Sequence, residues 1–372
     1  MEHEERQINP AWLIVARQSR GLTQHELAQL LDVNQGWLSR VESGLRGVSD
    51  DKLVALARLL GYPVEFFTQE ELVYGRGVGE IFHRKRQDVP NKLLDKIYAR
   101  VVIRRTALSR LLRSVEIESE GFTRHDVGEF AGTVEDIARA VRMQWGVPRG
   151  PVPNLTTLIE HAGGIVIPFD FGTRRIDAMS LWPLHMPPLF FVNIASPGDR
   201  LRFTLCHELG HIVMHQRDVN EDMERQADRF AAEFLMPAGE IAPYLANLSL
   251  PKLGTLKLQW KVSMAALLMR GTTLSATTPR HAKTLWTQMS SNGFRMREPE
   301  ELDVSFETPQ LYQEILDAHL YSLGYGVNEL ATILRLTPED VQQTFLEVPR
   351  YEDVRDALSE AESILREGRR RE

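Results

Sequence analysis

His207 and His211 stand four residues apart, with Glu208 directly after the first. They lie in the run Thr204-Leu205-Cys206-His207-Glu208-Leu209-Gly210-His211-Ile212-Val213-Met214-His215. On a helix, positions i and i+4 share a face one turn apart, so both imidazoles can bind a single Zn²⁺. Glu208 lies about 100° round the helix, where it reaches a water on the metal without competing as a ligand. Phe203, Leu205, Leu209, Ile212, Val213 and Met214 mark the helix as buried. Gly210 has no helix-propensity reason to be there, and its missing side chain leaves room for another segment to approach. The bland alternative is two core histidines beside a surface glutamate.

A catalytic zinc site needs three protein ligands and an open position. His215 is one more turn along the same face. On a continuing helix eight residues rise about 12 Å, too far to reach the same ion. The third ligand is therefore expected from another element. Residues 221–237 carry an amphipathic stripe of Met223, Ala227, Phe230, Ala231, Phe234 and Leu235, ended by Pro237. Glu224 and Asp228 lie beside that stripe, four apart. Glu224 is the expected ligand, with Asp228 as its support or substitute; the alternative is a solvated helix charge. Cys206 is rotated off the ligand face and reads as inert core or as an oxidation-sensitive neighbour.

The run from Thr204 to His211, followed by Glu224-x-x-Ala227-Asp228-x-Phe230-Ala231-Ala232-x-x-Leu235-Met236-Pro237, resembles the ImmA/IrrE family of zinc metallopeptidases. The similarity extends upstream through Asp199-Arg200-x-Arg202-Phe203 and downstream to Phe294-Arg295. The resemblance implies His207 and His211 as zinc ligands, Glu224 as the third ligand and Glu208 as general base. It also implies a repressor-type protein as substrate. Cys206 stands where the family commonly has a small residue such as alanine.

Near the N-terminus, Pro10 opens a helix bearing Trp12, Leu13, Val15 and Ala16, and Gly21 stops it. Thr23-Gln24-His25-Glu26 is a capping box for a second helix with Leu27, Leu30 and Leu31. After a turn at Asp32-Val33-Asn34, a third helix covers residues 35–42 and a fourth residues 50–60. Short helices joined by such a turn form a helix-turn-helix. The pattern Arg20-Gly21-Leu22-Thr23-Gln24-x-Glu26-Leu27-Ala28, then Leu38-Ser39-Arg40-x-Glu42-x-Gly44, resembles the lambda-repressor-like (XRE) DNA-binding domain over residues 8–68. That resemblance implies Gln24 on a backbone phosphate and the third helix in the major groove. Gln35, Trp37, Ser39 and Arg40 are the exposed candidates there, and Arg46 suits a phosphate. Glu42, Asp50 and Asp51 thin the basic footprint. The alternative is a protein-binding or dimerising module with Trp37 in its core.

The 372 residues carry a net charge of −7, so local rather than overall charge must hold any nucleic acid. One cysteine rules out an internal disulfide framework and suits a reducing cytoplasm. No apolar run reaches a membrane span, and the polar, acidic first residues do not read as a signal peptide.

Residues 69–130 read as a connector. Its Arg84, Lys85, Arg86, Lys92, Lys96, Arg100, Arg104 and Arg105 form either a supplementary phosphate-binding stripe or the solvated face of a long helix. The metallopeptidase-like domain is placed at 131–300. Strands are expected near 163–168, 175–182 and 188–193, helices near 133–145 and 155–161, and further helices over 241–248, 253–260 and 262–268. A sheet edge there could hold an extended peptide; Asp177 and Arg200 read as a cap or ion pair. Residues 301–372 form a helical C-terminal region. The expected fold class is mainly α with a small β-sheet (α+β): a helix-turn-helix, a zincin-like domain and a helical tail. The expected function is a DNA-binding transcriptional regulator coupled to a zinc-dependent endopeptidase. Its expected partners are operator DNA and a repressor-type protein, with a homodimer as candidate assembly and no membrane. Two other classes compete: a ligand- or metal-sensing transcription factor that does not cleave, and a toxin–antitoxin or defence-linked protein whose head holds a partner.

Overall fold

The structure is a computed structural model that describes residues 5–71, 73, 89–117, 121–215 and 222–346. Arg84, Lys85 and Arg86 of the expected basic stripe lie outside them, as do residues 347–372. The described residues divide into two compact units: residues 5–71, 73, 89–117 and 313–346 form the first, and residues 121–215 and 222–312 the second.

The first unit opens with β1 (Glu5–Arg6), antiparallel to β2 (Val48–Ser49). Four helices follow: α1 (Pro10–Ser19), α2 (Gln24–Leu30), α3 (Gln35–Glu42) and α4 (Asp50–Leu60). Their ends follow from local chemistry. Asn9 caps α1, with Pro10 in its first turn, and Gly21 takes φ +70° just after it. Thr23 and Glu26 make the reciprocal capping box of α2. Trp12, Leu27, Leu38, Val41, Leu56 and Phe66 fill the space between the helices.

α5 (Asn91–Leu111) corrects the connector reading. It is buried on most of its circumference, including Arg104 and Arg110. Lys92 pairs with Glu26 at 2.8 Å, and Arg104 lies over the Phe345 ring, 4.4 Å from its centroid. The cover comes mainly from α1 and also from residues 313–346, much later in the chain, which the helical period of α5 alone could not reveal.

The second unit begins with α6 (Val134–Gln144) and α7 (Leu155–His161). Three strands follow, β3 (Ile165–Phe169), β4 (Ala178–Leu181) and β5 (Leu189–Asn193), in the order β3-β5-β4. β3 runs parallel to β5, and β4 antiparallel to it with Ser180 opposite Phe190. Then come α8 (Gly198–Met214), α9 (Met223–Leu235) and α10 (Ala238–Ile241). Residues 242–244 form a 3₁₀ turn opened by Pro243, so the helix expected over 241–248 is cut short. α11 (Leu250–Trp260), α12 (Met264–Thr273) and α13 (Pro279–Ser291) complete the helical layer.

Buried carboxylates tie these pieces together. Glu307 pairs with Arg202 and caps the first turn of α7 through the Leu155 and Thr156 amides. Glu298 receives Lys257 and the first amides of α12. Glu233 pairs with Arg270. Each acid meets both a cation and helix N-terminal donors, which is how a buried charge is tolerated.

The last helices among the described residues include α14 (Leu311–Asp317), α15 (Val327–Leu334) and α16 (Pro338–Val341). From residue 313 the chain belongs to the first unit. There Arg110 donates to the Leu334 carbonyl at 2.6 Å and Arg20 pairs with Asp340 at 2.8 Å. The architecture is mainly helical with one small three-stranded sheet, as expected. No helix among the described residues is long and apolar enough to cross a membrane.

Candidate functional site

α8 is buried from end to end because Leu205, Leu209, Ile212 and Val213 pack into the same core as Phe190 of β5 and Phe230 and Phe234 of α9. The two helices meet at Gly210. A Cβ there would lie 3.1 Å from Phe230 Cδ1 and 3.3 Å from Ala227 Cα. The missing side chain is what lets α9 approach closely enough to bring its first turn over the histidines.

His207, His211 and Glu224 converge. The two Nε2 atoms are 3.0 Å apart. Glu224 Oε1 is 3.3 Å from His211 Nε2, and Oε2 is 3.5 Å from His207 Nε2. Glu224 Oε2 is buried and has no hydrogen-bond partner. Two imidazole nitrogens and an orphaned carboxylate oxygen facing one point are a donor set that suits Zn²⁺, whose ligand chemistry is nitrogen and carboxylate oxygen.

Each histidine is oriented from behind. Asp228, one turn after Glu224, accepts from Nδ1 of His207 at 2.9 Å. Behind His211 stands His215. The helix ends at Met214, and His215 takes an extended conformation with ψ 100°. Its Nδ1 is 2.9 Å from His211 Nδ1, and its Nε2 is 2.9 Å from Gln226 Oε1. Gln226 Oε1 can only accept, so His215 carries its proton on Nε2 and accepts at Nδ1 from His211. Both ligand candidates thereby hold Nδ1–H outward and Nε2 inward.

Electrostatics agree with this assignment for His215 and His211. Burial pushes His215 down to about 4, helped by His211, so it is a neutral acceptor at pH 7. Burial also lowers His211. For His207 the burial penalty is outweighed by Asp228 and Glu224, which hold its pKa up at about 9. Burial alone would raise Glu224, yet the two imidazoles bring it down to about 2.

Glu208 reaches β4, where Ser180 Oγ donates to its Oε2 at 2.6 Å. Sequence reasoning missed Ser180; the available signal was one polar residue in the otherwise apolar strand Ala178–Leu181. Asp177 and Arg200 form an ion pair at 2.8 Å, with Ser196 donating to Asp177. Cys206 is fully buried, and that burial pushes its thiol far up. It is inert core.

In the first unit Gln35, Ser39, Arg40 and Arg46 are exposed on or just beyond α3. Trp37 is a correction. It is buried, because it shares a stripe with Val41 one turn on, and Lys52 lies over its ring at 4.5 Å. Glu42 is a second correction to the charge reading. It is not an exposed acid; it accepts from Arg17 Nε at 2.6 Å and Nη2 at 3.0 Å and from Gln24 Nε2 at 3.0 Å. Gln24 in turn accepts from Gln35 Nε2 at 3.3 Å. One carboxylate thus locks the angle between α1, α2 and α3 and presents Gln24 and Gln35 side by side.

Residues 159–272 match a peptidase family model described as the IrrE N-terminal-like domain. Residues 13–67 match a helix-turn-helix family model. Comparison with curated proteins gave no match. The chain therefore carries an XRE-type helix-turn-helix ahead of an IrrE/ImmA-like domain.

Proposed function

We propose that this protein is a DNA-binding transcriptional regulator whose second unit is a zinc-dependent endopeptidase. The observation that carries the reading is the convergence of His207, His211 and the orphaned carboxylate of Glu224. His207 and His211 would hold the ion through Nε2 and Glu224 through its carboxylate. Zn²⁺ bound there supplies a Lewis acid for the scissile carbonyl and acidifies a water. Glu208 is the general base: it takes the proton as the water's oxygen bonds to the carbonyl carbon, then delivers it to the amine as the C–N bond breaks. Ser180 orients that carboxylate from β4. Asp228 and the His215–Gln226 pair keep the two imidazoles in the ligating tautomer.

On the first unit, Gln35, Ser39 and Arg40 would read base edges in the major groove, while Gln24 and Arg46 hold phosphates. A peptidase joined to such a head is suited to removing a repressor-type protein, whose cleavage changes transcription.

The test compares wild type with Glu208→Gln on a peptide library derived from a bacterial proteome. The wild type loaded with zinc should cleave. The variant should lose about 10²–10⁴-fold in rate while keeping its zinc content and its binding to operon DNA. A zinc-loaded wild type that leaves the library intact sinks the peptidase reading in favour of a non-cleaving sensor.

A further inference from the structure

We propose that Arg124, which lies over the Trp182 ring, forms a subsite for an acidic side chain of an extended polypeptide substrate. The proposal rests on the peptidase reading above and names the class of sequence that this site selects.

Among the described residues β4 is an edge strand, paired with β5 alone. An extended peptide can add to such an edge through main-chain hydrogen bonds, with specificity left to the side chains beside it. Ser180 of β4 reaches Glu208, which turns this part of the strand toward the candidate base. Trp182 comes directly after the last residue of β4, two positions beyond Ser180, a step of about 7 Å in extended backbone.

Trp182 is a firm platform. Its Nε1 donates to the Met186 carbonyl at 3.1 Å, and Phe122 packs edge-on with ring centroids 5.8 Å apart. The Arg124 guanidinium lies 4.1 Å from its ring centroid. The next residue, His125, donates its amide to the Val213 carbonyl at 2.8 Å, which anchors the segment to the last turn of α8, just past His211. Arg124 is therefore held between the continuation of the edge strand and the ligand-bearing helix.

No acid among the described residues pairs with it, although Asp and Glu outnumber Lys and Arg in this chain, 51 to 44. Arg200, Arg202, Arg229 and Arg270 of the same unit each hold a carboxylate. Arg124 is exposed, and among the described residues its contact is the indole face. Partial burial against that ring lowers its pKa, a mark of a cation that has lost water without gaining an anion. The ring contact leaves the guanidinium N–H groups to meet a bidentate carboxylate. An aspartate or glutamate one or two residues from the scissile bond supplies that partner.

The experiment uses the full chain with zinc bound and Glu208→Gln, which holds peptides uncut. Fluorescent decapeptides of neutral sequence carry one aspartate walked through every position, with matching asparagine and lysine series. Binding is read by anisotropy. At one register aspartate should bind about tenfold tighter than asparagine, the value of a charge-assisted hydrogen bond at a partly exposed site. Adding Arg124→Glu should turn that preference to lysine at the same register, and Arg124→Lys should keep a weaker acidic preference. A flat aspartate scan, no binding by any peptide, or an acidic preference that survives Arg124→Glu overturns the subsite. Cleavage is judged separately. If acidic peptides bind through Arg124 but wild type leaves them whole, the subsite stands and the peptidase reading falls.

Discussion

Replacing His215 with phenylalanine should weaken zinc binding although His215 is not a ligand. The ion requires the Nε2 lone pair of His211, so the proton must sit on Nδ1. That tautomer is held by donation to His215 Nδ1 at 2.9 Å, and His215 is held in turn by Gln226 at 2.9 Å. Phenylalanine fills the same buried volume but accepts nothing, which leaves His211 free to rotate and to place its proton on Nε2. Loss of such an outer partner costs about 10–100-fold in metal affinity, or about 1.4–2.8 kcal/mol. His215→Gln restores an acceptor and should recover most of the loss. Gln226→Leu removes one neutral hydrogen bond a step further away and should cost about fivefold. The assay is competition for zinc against a chromophoric chelator at fixed pH, on the full chain. Wild-type affinity in the phenylalanine variant refutes the orientation argument. Equal losses in His215→Phe and His215→Gln refute it too, since they point to packing instead.

Zinc uptake should release a proton from His207, whose pKa is held at about 9 in the metal-free protein. Apparent affinity should therefore rise about tenfold per pH unit from 7 toward 9; a flat profile contradicts the raised pKa. For the metal-free fold, the His207 contribution is complete below its unfolded value and fades as pH rises through 9, whereas that of Glu224 is complete above its unfolded value and fades as pH falls toward 2. Melting scans of metal-free protein across that range check both signs. Gly210→Val should push α9 off α8, costing about 1–3 kcal/mol of stability and weakening zinc binding with it. In the first unit, Glu42→Ala strands the Arg17 guanidinium, whose side chain is 11% exposed, and should cost about 3 kcal/mol by denaturant unfolding. Gln35→Ala and Arg40→Ala should leave stability within about 0.5 kcal/mol yet each cost about 1–3 kcal/mol in DNA affinity. Stable variants with unchanged binding would remove α3 as the reading helix.

The candidate metal site was half legible before any coordinates. His207, Glu208 and His211 share one helix, and helical spacing translates directly into position. The capping box at Thr23 and the bounds of α3 and α4 were legible for the same reason, since local chemistry sets them. Ser180 was not, because its bond to Glu208 spans 28 residues and depends on how β4 packs against α8. The place of His215 behind His211 was not legible either, because the helix stops at Met214 and the extended residue turns back onto His211. Trp37 and the buried face of α5 misled because an amphipathic pattern records which positions can be covered, not which later segment covers them.

Periodicity and capping, read along a few turns at a time, settled where the helices run and that two imidazoles sit on one of them. They could not settle which acid meets those imidazoles, which groups stand behind each ring, or that residues 313–346 return to the N-terminal helices. Those outcomes belong to the packing of distant segments. α9 reaches the histidines because Gly210 admits it, and that closeness is a property of two surfaces together rather than of either stretch alone.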